Sequence, residues 1–248
     1  MLPKAEFLLI NKPVGWTSHD VVGKIRSILR HTKNFPKKIK VGHAGTLDPF
    51  ATGLLIVGIG KEATTRLDEF KNLKKTYQAT IQLGAVSDTQ DITGVITKTP
   101  LLKIPKIEEV ESILKNFLGT QTQTPPMYSA KKVGGKKLYQ LARQGIEVER
   151  KPVEITIYEI TLITSNLDNP EPTIAIEVTC SAGTYIRTLA EDIGHSLQTG
   201  AYCQELERTK IGDHTLAQAV ELVDVTAENV EGLLGSTLLE SLDKKEKK

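Results

Sequence analysis

Only two cysteines, Cys180 and Cys203, occur in 248 residues. They are far apart and have no histidines at metal-ligand spacing, so two reduced thiols are expected, with neither a disulfide framework nor a zinc site. No apolar run approaches the roughly 20 residues that cross a bilayer. The N-terminus places Lys4 and Glu6 in a short apolar stretch and lacks the basic start, apolar middle and small-residue cleavage site of a secretory signal, so a cytoplasmic location is expected. No internal repeat is evident. The net charge of +2 is too small to argue for a nucleic-acid partner by itself. What is present, 39% apolar and 25% charged residues, is ordinary for a globular protein with a substantial core.

The charge is unevenly placed. From Arg30 to Lys40 there are five Lys or Arg and no acid, and from Lys131 to Lys151 seven basic residues stand against Glu147 and Glu149. Either block suits phosphate contact, and a solvated surface is the competing reading.

Periodicity gives the order of elements. Glu6 to Asn11 reads as an apolar strand turned by Pro13 and Gly15, and a helix should start at about Asp20 with Ser18 as a possible cap. A loop is expected over the basic segment, a strand from Leu54 to Ile59, and a short helix from Lys61 to Lys71. Tyr77 to Leu83 alternates as a half-buried strand with Tyr77, Ala79, Ile81 and Leu83 on one face. Ile107 to Leu118 has helical spacing and ends at Gly119, which suits a left-handed cap. Thr120 to Gly135 reads as a long exposed loop leading to a short helix over Leu138 to Arg143. Strands at Val153 to Ile163 and Thr173 to Cys180 precede a helix from about Thr184 to Leu197. Hairpin-length gaps between neighbouring strands favour an α+β fold with a mixed, mainly antiparallel sheet flanked by helices.

Two stretches concentrate chemistry. GHAGTLDPFATGLL, from Gly42 to Leu55, surrounds Asp48 with residues that restrict or release the backbone, which makes a shaped loop presenting an acid. A turn in which Asp48 only bonds backbone N–H groups competes with that. His43, with no second ligand nearby, reads as a hydrogen-bonded structural residue rather than a metal ligand, and no metal is expected. CSAGTYIRTLAEDIG, from Cys180 to Gly194, places Arg187 in the first turn of a helix, facing either a cleft or Glu191 four residues on. GIGKEAT, from Gly58 to Thr64, lacks the spacing of a P-loop. Tyr77 reads as core by pattern.

NKPVGWTSHD, GHAGTLDPFATGLL, KKTYQATIQLG, TPPMYSAKKVGGKKLY, GTYIRTLAEDIG and ELERTKIG occur in this order, and together they resemble the TruB family of pseudouridine synthases over most of residues 6 to 212. The resemblance implies the pseudouridine synthase fold and a cofactor-independent enzyme that converts the T-loop uridine of tRNA at position 55 to pseudouridine. It implies Asp48 as the catalytic aspartate, Tyr77 stacking on the target base, Arg187 pairing with the aspartate, Leu206 lining the pocket and His43 supporting the reshaped T-loop. The segment from 124 to 151 resembles an inserted RNA-clamping loop, with Lys131, Lys132, Lys136 and Lys137 as phosphate contacts. The domain scheme implied is a catalytic domain over 1–212, a short helical extension over 213–243 and a disordered basic tail over 244–248. The expected partner is the tRNA T-arm and the expected state a monomer. Many relatives continue into a C-terminal RNA-binding domain, whereas about 36 residues follow Gly212 here, read as short helices around Leu216 to Val220 and Val230 to Leu242. A noncatalytic RNA-binding or tRNA-folding protein on the same fold is the alternative.

Overall fold

Strands that are apolar on both faces must be covered from both sides, and the opening run of the chain meets that condition. The computed structural model describes residues 6–101, 103–129 and 131–236. In chain order its elements are β1 (Glu6–Lys12), α1 (Ser18–His31), β2 (Val41–Ala44), β3 (Thr52–Ile59), α2 (Gly60–Lys71), β4 (Lys75–Leu83), β5 (Ala85–Ser87) and β6 (Ile96–Lys98). Then come α3 (Ile107–Asn116), β7 (Gly119–Gln123), β8 (Lys132–Val133), β9 (Lys136–Lys137), α4 (Leu138–Ala142), β10 (Val153–Asn166), β11 (Thr173–Cys180) and α5 (Ile186–Ser196). The chain closes with β12 (Ala201–Ile211), β13 (His214–Thr215), β14 (Val220–Glu221) and α6 (Val230–Ser236). Contacts divide it into two units, one built from residues up to 75 together with those from 207 onward, the other from Thr76–Leu206.

In the first unit the strand order is β14-β1-β3-β12, with β2 also on β3 and β13 on β12. β1 pairs antiparallel with β3, whereas β14 joins β1 and β12 joins β3 in parallel. Alternation sorts the side chains to two cores. Leu8, Ile10, Leu55 and Val57 pack with Val21, Val22, Ile25 and Leu29 of α1 and with Leu222, Val225 and Val230 near the C-terminus. Phe7, Leu9, Leu54 and Ile56 pack on the other side with Ala63, Leu67 and Phe70 of α2.

In the second unit the order is β12-β4-β11-β10-β7, antiparallel at β11/β10 and β10/β7. α3 packs on β10 and α5, burying Val110, Leu114, Leu189 and Ile193. The fold is thus α+β with a mixed, mainly antiparallel sheet, as the gap lengths indicate.

Several expectations shift. Thr17, not Ser18, caps α1: its side chain accepts from Asp20 N–H while the Asp20 carboxylate accepts from the Thr17 N–H, a capping box. The stretch read as a long loop begins with β7, a polar sheet strand whose sequence GTQTQ has no apolar alternation to betray it. Residues 41–44, taken as part of a loop, form β2. Gly119 has φ +94° but opens β7 rather than capping α3, which ends at Asn116 with Phe117 as its C-cap. Residues 216–218 form a single 3-10 turn and Val220–Glu221 a strand in place of the first C-terminal helix. The second begins at Val230 as expected; its continuation to Leu242 and the tail over 244–248 lie outside the described residues.

Candidate active site

The loop that carries Asp48 runs between β2 and β3 and is held from three directions. From the start of α1, the buried Ser18 hydroxyl accepts from the Leu47 N–H at 2.9 Å and donates to the Leu47 carbonyl at 3.2 Å. From the end of β1, the Gly15 N–H donates to the Pro49 carbonyl at 2.7 Å. The fully buried Lys12 ammonium reaches the carbonyls of Trp16 (2.7 Å), Pro13 (2.9 Å) and Pro49 (3.4 Å). From β12, the Arg208 guanidinium, 1% exposed, donates to Leu54 O at 2.8 Å and Gly45 O at 3.1 Å. Gly53 allows this approach: its φ is +102°, and a Cβ there would stand 2.6 Å from the Arg208 backbone nitrogen. Every one of these ties ends on backbone; the Asp48 side chain is half-buried.

The electrostatics of this half are set by buried cations. Burial pushes the Lys12 ammonium down to about 8, the Asp48 charge opposes that, and Arg208 adds to it. Lys12 is therefore charged at neutral pH and places positive potential on the Asp48 loop. His43 lies in β2, pairing with Val57, edge-on to His19 with ring centroids 6.5 Å apart. Burial first, and then the charges of His19, Arg208 and Lys71, push it down to about 4. It is a neutral imidazole at physiological pH, and its Nδ1 is buried without a hydrogen-bond partner. An unfolded chain takes up this proton near pH 6.5, whereas the folded protein takes it up only near 4. Stability must then fall as pH drops from about 6.5 to 4. We expect His43→Gln to remove about 2 kcal/mol of that acid loss, read as the difference in urea midpoints between pH 7 and pH 4.5. An unchanged pH dependence would mean that His43 titrates normally.

The second unit holds Tyr77, Arg187 and Leu206. Tyr77 is 8% exposed and Leu206 7%. Arg187, in the first turn of α5, is buried and forms an ion pair with Asp91 at 3.2 Å. It also donates to the carbonyls of Thr89 (2.8 Å) and Tyr128 (2.7 Å). Glu191, the surface partner that helical spacing offered, is instead bonded by Gln90 Nε2. Asp91, which sequence reasoning did not single out, is the carboxylate that Arg187 meets. Its other oxygen accepts from Thr89 Oγ1 (2.8 Å), Thr93 N (2.9 Å) and Thr93 Oγ1 (2.5 Å). The segment SDTQDIT from Ser87 to Thr93 is a polar turn with Gln90 at φ +64°. A carboxylate spaced between three small hydroxyl residues was the available signal.

The insertion is more structured than a loop. Gly134 and Gly135, at φ +56° and +82°, turn a two-residue hairpin between β8 and β9, as a type I′ turn requires. α4 then buries Leu138 and Leu141. Lys131 is half-buried and Lys136 exposed; Lys132 and Lys137 lie on the two hairpin strands. Among the described residues no group of three or more His, Cys, Asp or Glu could hold a metal ion, and no helix is long and apolar enough to cross a membrane.

Comparisons with known proteins cover most of the chain. The model of the "TruB family pseudouridylate synthase (N terminal domain)" matches residues 31–186, and that of the "tRNA pseudouridylate synthase B C-terminal domain" matches residues 187–242. The segment after Gly212 thus falls, up to residue 242, within the C-terminal model, which also spans β12. A tRNA pseudouridine synthase B of Bacteroides thetaiotaomicron is 50% identical over 219 residues, covering 88% of this chain and 90% of the relative. One from Syntrophomonas wolfei is 48% identical over 217 residues, covering 87% of this chain and 70% of the relative. Among solved structures, a chain of a Cbf5-Nop10-Gar1 complex superposes with a TM-score of 0.62 at 27% identity; the match covers 88% of this chain and 53% of that one. With more than half its length matched by the N-terminal model and half of 219 aligned residues identical in a relative that it covers to 90%, the chain belongs to the TruB family of pseudouridylate synthases.

Proposed function

We propose that this protein isomerises uridine to pseudouridine in tRNA, that the target is the T-loop uridine at position 55, and that Asp48 is the carboxylate that carries the reaction. The observation that supports this best is the clasp itself: Ser18, Lys12 and Arg208 hold the backbone of the Asp48 loop, and the loop so shaped presents a half-buried carboxylate within the field of the Lys12 ammonium.

The reaction breaks the bond from ribose C1′ to uracil N1, turns the base and forms a bond from C1′ to C5, after which the C5 proton is lost and N1 is protonated. Electrons balance within the nucleotide, so an ionised carboxylate acting as nucleophile or base suffices. Neither a redox cofactor nor a metal enters this scheme. The uridine must leave its stack first, at a cost of a few kcal/mol. Tyr77 offsets part of this by stacking on the uracil, an interaction worth about 1–3 kcal/mol, while Leu206 adds apolar contact. Arg187 supplies the cation that favours the charged carboxylate. His43, uncharged and with a free ring nitrogen, supports the opened T-loop. In this reading residues 1–212 make the catalytic domain, residues 124–151 are an RNA-binding insertion, and Lys131, Lys132, Lys136 and Lys137 hold phosphates of the T-arm. The protein works as a cytoplasmic monomer.

The test is incubation with unmodified tRNA in the presence of a chelator and without added cofactor, followed by mapping of pseudouridine. One modified position in the T-loop is expected. Tight tRNA binding with no pseudouridine would favour the RNA-folding alternative, and activity that returns only with added metal would reject the cofactor-free scheme.

A further inference from the structure

Beside the His43 strand, the first unit has an open groove of about 770 Å³ between α1, residues 38–42 and α2. Arg26, Arg30, Lys38 and Lys40 line it, and no Asp or Glu does. Arg26 and Arg30 are four residues apart on α1 and so share a face. Lys38 and Lys40 lie on the segment that leads into β2. The Arg26 guanidinium donates to the Val41 carbonyl at 3.1 Å, which fixes one cation to the groove wall. Among the described residues none of the four makes an ion pair with a carboxylate.

Three of the four acids on α1 and α2 are engaged elsewhere. On α2, Asp68 pairs with Lys71 at 2.6 Å and Glu69 with Arg66 at 3.0 Å. On α1, Asp20 is held in the capping box. Glu62, in the first turn of α2, is left as the nearest uncommitted acid along these elements. Four like charges placed around one groove repel one another, and the arrangement lowers its energy by taking up a polyanion and releasing that polyanion's counterions. The groove wall continues through Gly42 and His43 into the loop that carries Asp48, so the polyanion that fits is one whose other part reaches that loop.

We propose that this groove is a docking site for the phosphate backbone of the RNA substrate, additional to the lysines of the β8/β9 hairpin. It anchors the duplex by charge and shape, without reading bases. The inference rests on the RNA substrate argued above, and the experiment separates the two.

The triple variant Arg30→Gln, Lys38→Gln, Lys40→Gln is compared with Lys103→Gln, Lys106→Gln, Lys115→Gln, which removes the same formal charge from exposed positions in and before α3. Unmodified tRNA is titrated at several salt concentrations, and single-turnover pseudouridine formation is measured at saturating enzyme. Each phosphate contact contributes about 0.7–0.9 to the slope of log K against log salt. The groove variant should therefore lose about 2–3 from that slope, while the α3 variant loses little. The saturated chemical rate should hold in both. Equal slopes in the two variants, whether both reduced or both unchanged, would overturn the groove as a site. Absence of pseudouridine with the wild-type protein would instead overturn the proposed function, with the binding comparison still readable.

Discussion

Asp48→Asn is expected to lower the single-turnover rate of pseudouridine formation by at least about 10³-fold while tRNA affinity changes only severalfold. The amide keeps the size of the side chain and removes the charge and basicity that the reaction uses. Because Ser18, Gly15, Lys12 and Arg208 grip the loop through the backbone of Leu47, Pro49 and Gly45, the substitution should leave the loop in place and the melting temperature near that of the wild type. Rates are read with enzyme in excess over RNA, so that weaker binding cannot pass for slower chemistry. A variant that retains a tenth of the wild-type rate would remove Asp48 from the catalytic role. One that melts much earlier would show that the side chain, and not only the backbone, is part of the clasp.

The second large effect is on stability. In the Arg187–Asp91 pair the side chains are 3% and 5% exposed, and deleting one member of such a pair strands a charge with no water to solvate it. Asp91→Ala should cost about 3–5 kcal/mol, measured by urea unfolding. Two of the three hydrogen bonds to the Asp91 carboxylate come from Thr93, so Asp91→Asn should cost less because it retains an acceptor for them. The double replacement Arg187→Met with Asp91→Leu should be less destabilised than Asp91→Ala, since it leaves no buried charge behind. A loss of under about 1 kcal/mol in Asp91→Ala would contradict the buried, desolvated ion pair.

How much of this was legible in the sequence depends on whether a residue's role is set locally. The apolar run Phe7 to Ile10 announces a strand because burial on both faces demands apolar residues at every position. The amphipathic stretch from Ile107 announces α3 for the same kind of reason. β7 is polar, and its register comes from β10, some thirty residues later, so local pattern could not show it. Ser18 and Thr17 are chemically near-equivalent caps. What separates them is Leu47, far along the chain, which occupies the Ser18 hydroxyl. Asp48 stood out because glycines and prolines around an acid are a local signal. Arg187 stood out through its motif, but its partner Asp91 lies on a turn nearly a hundred residues earlier. Helical spacing pointed to Glu191 because spacing knows only neighbours.

Strand β12 begins in the unit that spans the middle of the chain and ends in the unit built from both chain ends. This sets an order of events during synthesis. The middle unit is contiguous and has all of its strands once Leu206 has left the ribosome. The unit that holds the Asp48 loop does not: Arg208, which grips Gly45 and Leu54, and β14, which flanks β1, are made only after the middle unit. Until then the parallel edge of β3 has no partner and the loop lacks one of its three anchors. A nascent chain halted before Glu207 therefore carries the complete sequence of the carboxylate loop without the strand that shapes it, so the loop takes its shape only after the whole middle unit has been made.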